Sequence, residues 1–224
     1  MKQQATRFGA ELSHGVVDHL DADGRPFTIE LSSGEQITAD AVIAASGASA
    51  RTLGVPGEEE LMGFGLSTCA TCDGAFFRDE EIMVVGGGDA AMEEAVFLTK
   101  FASTVYIVHR REEFRAEQIW IDRVMDRVDA GEIELILNTE VTELHGTDDA
   151  GLEAVTLVSH PEGHPTAKLD DPATETERFD VGAVFYAIGH IPNTDYLSDT
   201  GVQTDDEGYL ITAGGRGGGQ TATG

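Results

Sequence analysis

The short apolar run Ile82-Met-Val-Val85 leads directly into Gly86-Gly-Gly88-Asp89-Ala-Ala91. The residues that follow, to Phe101, keep helical spacing, with Ala91, Ala95 and Leu98 on one face. Strand, glycine turn and helix in that order constrain the fold more than any other stretch of the chain. In a G-x-G-x-x-A pattern, Gly86 makes the tight turn, Gly88 lets the backbone approach a pyrophosphate, and the small Ala91 lets helix and strand pack closely. The helix start, Asp89 and Ala90, then offers unpaired N–H groups to phosphate. A bare glycine turn would satisfy the letters, but not the apolar strand before them and the amphipathic helix after them.

The alternation continues. Val105–Val108 is predicted as a strand, Phe114–Val128 as a helix with Ile121, Val124, Met125 and Val128 on one side, and Ile133–Leu137 as a third strand. This order implies a parallel sheet with right-handed crossovers. Val141–Leu144 and Ala154–Val158 are expected to add a small antiparallel piece. Ser159–Phe179 is read as a polar loop and Val181–Ile188 as a last buried strand. Before this region, residues 10–13, 15–20, 27–31 and 41–45 read as strands separated by turns, with no helix. Residues 48–64 look like a linker. The Gly- and Thr-rich tail from Gly214 to Gly224 looks like a loop.

At the end of the second strand, a fold that binds NAD places an acid ~20 residues beyond the glycine turn to hold the ribose 2′-hydroxyl. Here the chain has His109-Arg110-Arg111, with Arg115 one turn further. Arginines would pair with a 2′-phosphate through charge-assisted hydrogen bonds, so the cofactor expected is NADPH. The alternative is a solvated basic patch. It would be an odd place for one, because the chain has 14 Lys and Arg against 41 Asp and Glu, a net charge of −27.

Two cysteines stand in Cys69-Ala-Thr-Cys72, followed by Asp73. So short a loop constrains an unfolded chain little, which favours chemistry over stapling. Two close thiols can form an exchangeable disulfide that accepts and returns two electrons, and an adjacent carboxyl can move the proton that exchange requires. Two other readings stay open: inert cysteines, or zinc with His160-x-x-x-His164 supplying the remaining ligands. The histidines are distant in sequence, and no metal site is expected.

The acidic, lysine-poor composition suits a hydrated surface in concentrated salt, so a halophilic protein is expected. It disfavours nucleic acid and anionic membrane as partners. No apolar run approaches the ~20 residues that span a bilayer, and a cytoplasmic location is expected.

Taken together, Cys69-Ala-Thr-Cys72-Asp73-Gly74, Gly86-Gly-Gly-Asp-Ala-Ala91-Met-Glu-Glu94, His109-Arg-Arg111-x-x-x-Arg115-Ala116 and Ala187-Ile-Gly-His-Ile-Pro-Asn-Thr194 resemble the low-molecular-weight thioredoxin reductases of bacteria and archaea in order and spacing. The resemblance implies an α/β protein: a Rossmann-like NADPH-binding domain over residues 53–190, with a partial FAD domain of three-layer ββα type from residues 1–52 and 191–224. It implies that Gly86–Ala91 and Glu93 bind NADPH, that His109, Arg110, Arg111 and Arg115 hold its 2′-phosphate end, and that Ile188 and Gly189 lie near the nicotinamide. Electrons would pass from NADPH to FAD, to the Cys69–Cys72 disulfide and then to thioredoxin or a similar small disulfide protein. Cys69 would attack the partner, Cys72 would face the flavin and Asp73 would carry the proton. Hinges between the domains would lie near Leu53 and Ile191.

For FAD the chain offers Val17, Ser46 and Gly47, where the family's usual Ala-Thr-Gly reads Ala45-Ser46-Gly47. The family's first FAD-gripping glycine motif and its last flavin-holding Gly-Asp have no counterpart between Met1 and Gly224. The expectation is a fragment that binds little FAD and turns over little alone. The full-length protein would be a homodimer. Rival readings are the reductase of an alkyl hydroperoxide system, a ferredoxin- or flavin-dependent relative, and an inactive NADPH-binding remnant.

Overall fold

The strand Ile82–Val85 is buried along its whole length, as a strand covered on both faces must be. In the computed structural model, which describes residues 2–213 and 220–221, it is the middle of a parallel sheet. The tail expectation at 214–224 lies outside the described residues except at Gln220 and Thr221. The described chain forms two units: residues of 1–49 with those of 191–224, and Ala50–His190.

The first unit begins with a short helix, α1 (Lys2–Arg7), where strand and turn alone were expected. It continues with an antiparallel meander of β1 (Val17–Asp21), β2 (Phe27–Leu31) and β3 (Gln36–Ala39). Gln36–Ala39 joins the meander through the Ser32-Ser33-Gly34 turn and was not foreseen. Two expected strands do not form. Residues 10–13 and 41–45 have no ladder partner, and Ile43 is 92% exposed. A short apolar run becomes a strand only where a sheet edge is available to satisfy its backbone.

The chain enters the second unit through β4 (Ala48–Ala50), then passes α2 (Glu58–Leu61), β5 (Leu66–Ser67) and α3 (Ala70–Asp73). The expected linker is partly ordered by Glu58, whose buried carboxylate accepts the N–H groups of Leu53 at 2.8 Å and Gly54 at 2.9 Å. The alternating stretch follows as β6 (Glu81–Val85), α4 (Asp89–Leu98), β7 (Thr104–His109), α5 (Gln118–Asp129) and β8 (Ile133–Leu137). Next come β9 (Thr139–Thr147), β10 (Gly151–Ser159), β11 (Glu175–Asp180) and β12 (Ala183–Tyr186). The parallel sheet runs β5-β12-β6-β7-β8.

The period of two along each strand separates two cores. Ile82, Val84, Val105, Ile107, Ala183 and Phe185 face α4 and α5, where they meet Ala91, Met92, Ala95, Leu98 and Val124. Met83, Val85, Val108, Val184 and Tyr186 face the other way. They meet Val141, Leu144, Val155 and Leu157 of the antiparallel sheet β11-β10-β9. The unit is therefore three-layered: antiparallel sheet, parallel sheet, helices.

The polar loop expected over 159–179 is corrected at its end. Glu175–Asp180 pairs with β10 along its length, from Ser159↔Glu175 to Ala154↔Asp180. Its composition hid it because it is an edge strand with mostly exposed side chains. Phe179 is its apolar anchor, set edge-on to Tyr106 with centroids 4.8 Å apart. Among the described residues no helix is long and apolar enough to cross a membrane.

Candidate active site and dinucleotide site

Leu66 and Ser67 end at the sheet edge beside β12, and the chain then turns into the four-residue α3. Cys69 caps this helix and Cys72 lies one turn in, which sets the two Cα atoms 5.3 Å apart with the sulfurs joined as a disulfide. Cys72 is exposed and Cys69 half-buried. Both sulfurs are thus used by each other. Among the described residues no group of three or more His, Cys, Asp or Glu side chains could hold a metal.

The turn brings Asp73 back over Ser67. The Ser67 hydroxyl donates to Asp73 Oδ2 at 2.6 Å and accepts the Cys69 N–H at 3.0 Å. Ser67 is buried, and the sequence reading missed it. The available signal was a hydroxyl two residues before the first cysteine, at the end of an apolar run. Thr71 Oγ1 lies 3.5 Å from Cys69 Sγ.

The glycine turn has the shape its letters suggested. A Cβ on Gly86 would meet the Ala187 carbonyl oxygen at 2.5 Å and Ala91 Cβ at 2.7 Å, so turn, helix and the end of β12 touch there. Gly88 faces open space, with nothing within 4 Å of a Cβ built on it. It is the residue before α4, whose ten residues start at Asp89. An open glycine at a helix N-terminus, beside two closed ones, fits a pyrophosphate. Ile188 and Gly189 follow β12 and so lie by the same sheet end, since the Ala187 N–H donates to the Val85 carbonyl at 2.9 Å.

His109 is placed differently from its arginine neighbours. Its ring lies directly against Gly87, in the space a Cβ would take, and its Nε2 is 3.2 Å from the Glu113 carbonyl oxygen. Burial pushes its pKa below the ordinary value, and the Arg111 and Arg110 charges add to this. A neutral ring under the turn is a support for the loop. Arg110 and Arg115 are exposed and Arg111 half-buried. The segment is tied to the glycine turn by the Arg115 N–H on the Gly87 carbonyl at 2.7 Å and the Glu117 N–H on Asp89 Oδ1 at 2.7 Å. One oxygen of the Asp89 carboxylate is thereby used, while Ala90 and Glu93 are exposed on α4.

The residues expected to contact FAD lie in the first unit. Val17 is half-buried on β1. Ser46 donates its hydroxyl to the Asn193 carbonyl at 2.6 Å, and the Gly47 carbonyl accepts the Asn193 N–H at 3.0 Å.

The sequence profile described as "Pyridine nucleotide-disulphide oxidoreductase" matches residues 3–215. A thioredoxin reductase of Mycolicibacterium smegmatis is 46% identical over 214 residues, which are 96% of this chain and 63% of that protein. A glucosaminate ammonia-lyase of Pseudomonas fluorescens is 43% identical over 223 residues, 65% of its length. The solved thioredoxin reductase of Giardia duodenalis superposes with a TM-score of 0.75 at 35% identity, covering 99% of this chain and 67% of that one. The chain thus spans 63% and 65% of the two curated relatives. By its profile, its relatives and its parallel-sheet architecture, the chain belongs to the pyridine nucleotide-disulphide oxidoreductase family.

Proposed function

We propose that the chain is the NADPH-binding and redox-disulfide part of a thioredoxin-disulfide reductase that uses FAD. The observation that carries the reading is one unit holding both a solvent-facing Cys69–Cys72 disulfide with Asp73 braced beside it and an open glycine turn tied to an arginine segment. A bound flavin, reduced by NADPH, would supply the two electrons. The chain's own groups do the rest. Reduction opens the Cys69–Cys72 bond to two thiols. One sulfur, as thiolate, attacks a sulfur of the partner's disulfide and releases the partner's other sulfur as a thiol. The second then attacks the mixed bond, so the Cys69–Cys72 bond re-forms and the partner leaves with two thiols. Asp73 takes up and returns the proton at the attacking sulfur. In this reading Cys69 meets the partner, Cys72 meets the flavin, and Gly86–Ala91, Glu93, Arg110, Arg111 and Arg115 hold NADPH, with Ile188 and Gly189 toward the nicotinamide. The whole protein is read as a cytoplasmic homodimer.

The exchange step can be tested without flavin. The chemically reduced protein, freed of reductant and mixed with oxidised thioredoxin, should pass two electrons and two protons to it by thiol–disulfide exchange until equilibrium. Cys69→Ser should abolish the transfer. Thioredoxin that stays oxidised beside a demonstrably reduced Cys69/Cys72 pair would refute the reading. A release of ammonia from glucosaminate by the same preparation would favour the activity named for the Pseudomonas relative. The net charge of −27 supports operation in concentrated salt. The urea midpoint should then rise with added potassium chloride, and a midpoint indifferent to salt contradicts this.

A further inference from the structure

The pair His160-x-x-x-His164, which has the spacing of zinc ligands, is put to another use. The loop carrying it is built onto the arginine segment. The His164 N–H donates to the Arg110 carbonyl at 2.8 Å, and the Arg111 Nε–H donates to His164 Nε2 at 3.1 Å. Gly163 packs so closely that a Cβ would meet the Arg110 carbonyl oxygen and Asn138 Oδ1, each at 2.9 Å, and its φ is +67°. Asn138 locks the other side. Its N–H donates to the Arg111 carbonyl at 3.3 Å, its carbonyl accepts the His160 N–H at 3.1 Å, and its side-chain amide donates to the Pro161 carbonyl at 3.2 Å. His160 is buried, with Nδ1 accepting the Glu162 N–H at 3.1 Å and Nε2 3.6 Å from Asp171.

Because an arginine Nε–H can only donate, His164 Nε2 must be the acceptor, which puts the ring proton on Nδ1. The bond uses Nε of Arg111 and, among the described residues, leaves both terminal nitrogens for a ligand. It also fixes the plane of a guanidinium that otherwise has many rotamers to lose on binding. The geometry points to His164 as a positioning residue that sets Arg111 for the 2′-phosphate and thereby determines selectivity for NADPH over NADH. The inference rests on the proposed NADPH site and extends it to a loop that lies beyond the recognisable motifs.

The test titrates wild-type protein, His164→Leu and His164→Gln with NADPH, NADH and 2′,5′-ADP. Leucine keeps bulk but accepts nothing, whereas glutamine offers an amide oxygen. His164→Leu should weaken NADPH and 2′,5′-ADP by ~10–150-fold, the size of one hydrogen bond to a charged group. NADH binding should stay unchanged, and His164→Gln should recover most of the loss. Unchanged NADPH binding, equal weakening of NADPH and NADH, or a glutamine variant as weak as the leucine one would overturn the assignment. Should His164→Leu not fold, His164→Ala is read in the same way. Wild-type protein with no preference for NADPH would instead overturn the underlying site.

Discussion

Ser67 makes two bonds with one hydroxyl, receiving from the Cys69 backbone and giving to Asp73. It therefore fixes the carboxyl in place beside the disulfide. The cysteines and Asp73 were legible because their chemistry depends on neighbours in sequence. Ser67 was not, because its role exists only once α3 folds Asp73 back across it. His164 was visible as a histidine but not as a partner of Arg111, from which it is separated by 53 residues. Glu94 on α4 stood in a quoted motif but with no role assigned to it. Burial first, and the Glu93 charge second, push its carboxyl up from 4.5 to about 7. Between those values the folded chain binds more protons than the unfolded one, so stability falls as pH rises through the window and the loss is complete above it. Solvent around a partly exposed group should hold the cost to ~1–2 kcal/mol. Glu94→Gln should therefore gain stability over wild type at about pH 8 and little at about pH 5, as read by urea unfolding. An equal difference at both values would contradict this.

Among the elements, strand–turn–helix units were the most legible, since burial and period agree from β6 to β8. Their boundaries were less so. Helical spacing suggested a start at Phe114, yet α5 begins at Gln118 because the N–H groups of Arg115 and Glu117 are held by Gly87 and Asp89. Those ties turn the glycine loop, the end of β7 and the start of α5 into one support, with the His109 ring as its floor. Gly87→Ala drives a methyl into that ring. It should cost ~1–3 kcal/mol of stability, as overpacking does, and weaken NADPH by at least ~10-fold. Urea unfolding with a parallel titration checks both. Wild-type stability and affinity in this variant would mean that His109 does not support the loop. The edge strands β5 and β11 were invisible for opposite reasons, one being two residues long and the other almost wholly polar.

Across the whole chain, the second unit carries a disulfide on one segment and a dinucleotide-type turn on another, both mounted on a single parallel sheet. Ser67 ends β5 and Gly86 follows β6, with β12 paired to both strands. Sequence periodicity gave away the sheet, but the partners of each side chain came only from the folded topology. If this unit selects NADPH through its arginines, nucleotide binding is where the selection shows first. NADPH and NADH should be titrated, in high salt, against wild-type protein and against the Arg110→Ala, Arg111→Ala double variant. Wild-type protein should bind NADPH tightly and NADH weakly, and the variant should lose the preference. A folded wild-type protein that binds neither nucleotide, or both equally, would contradict it.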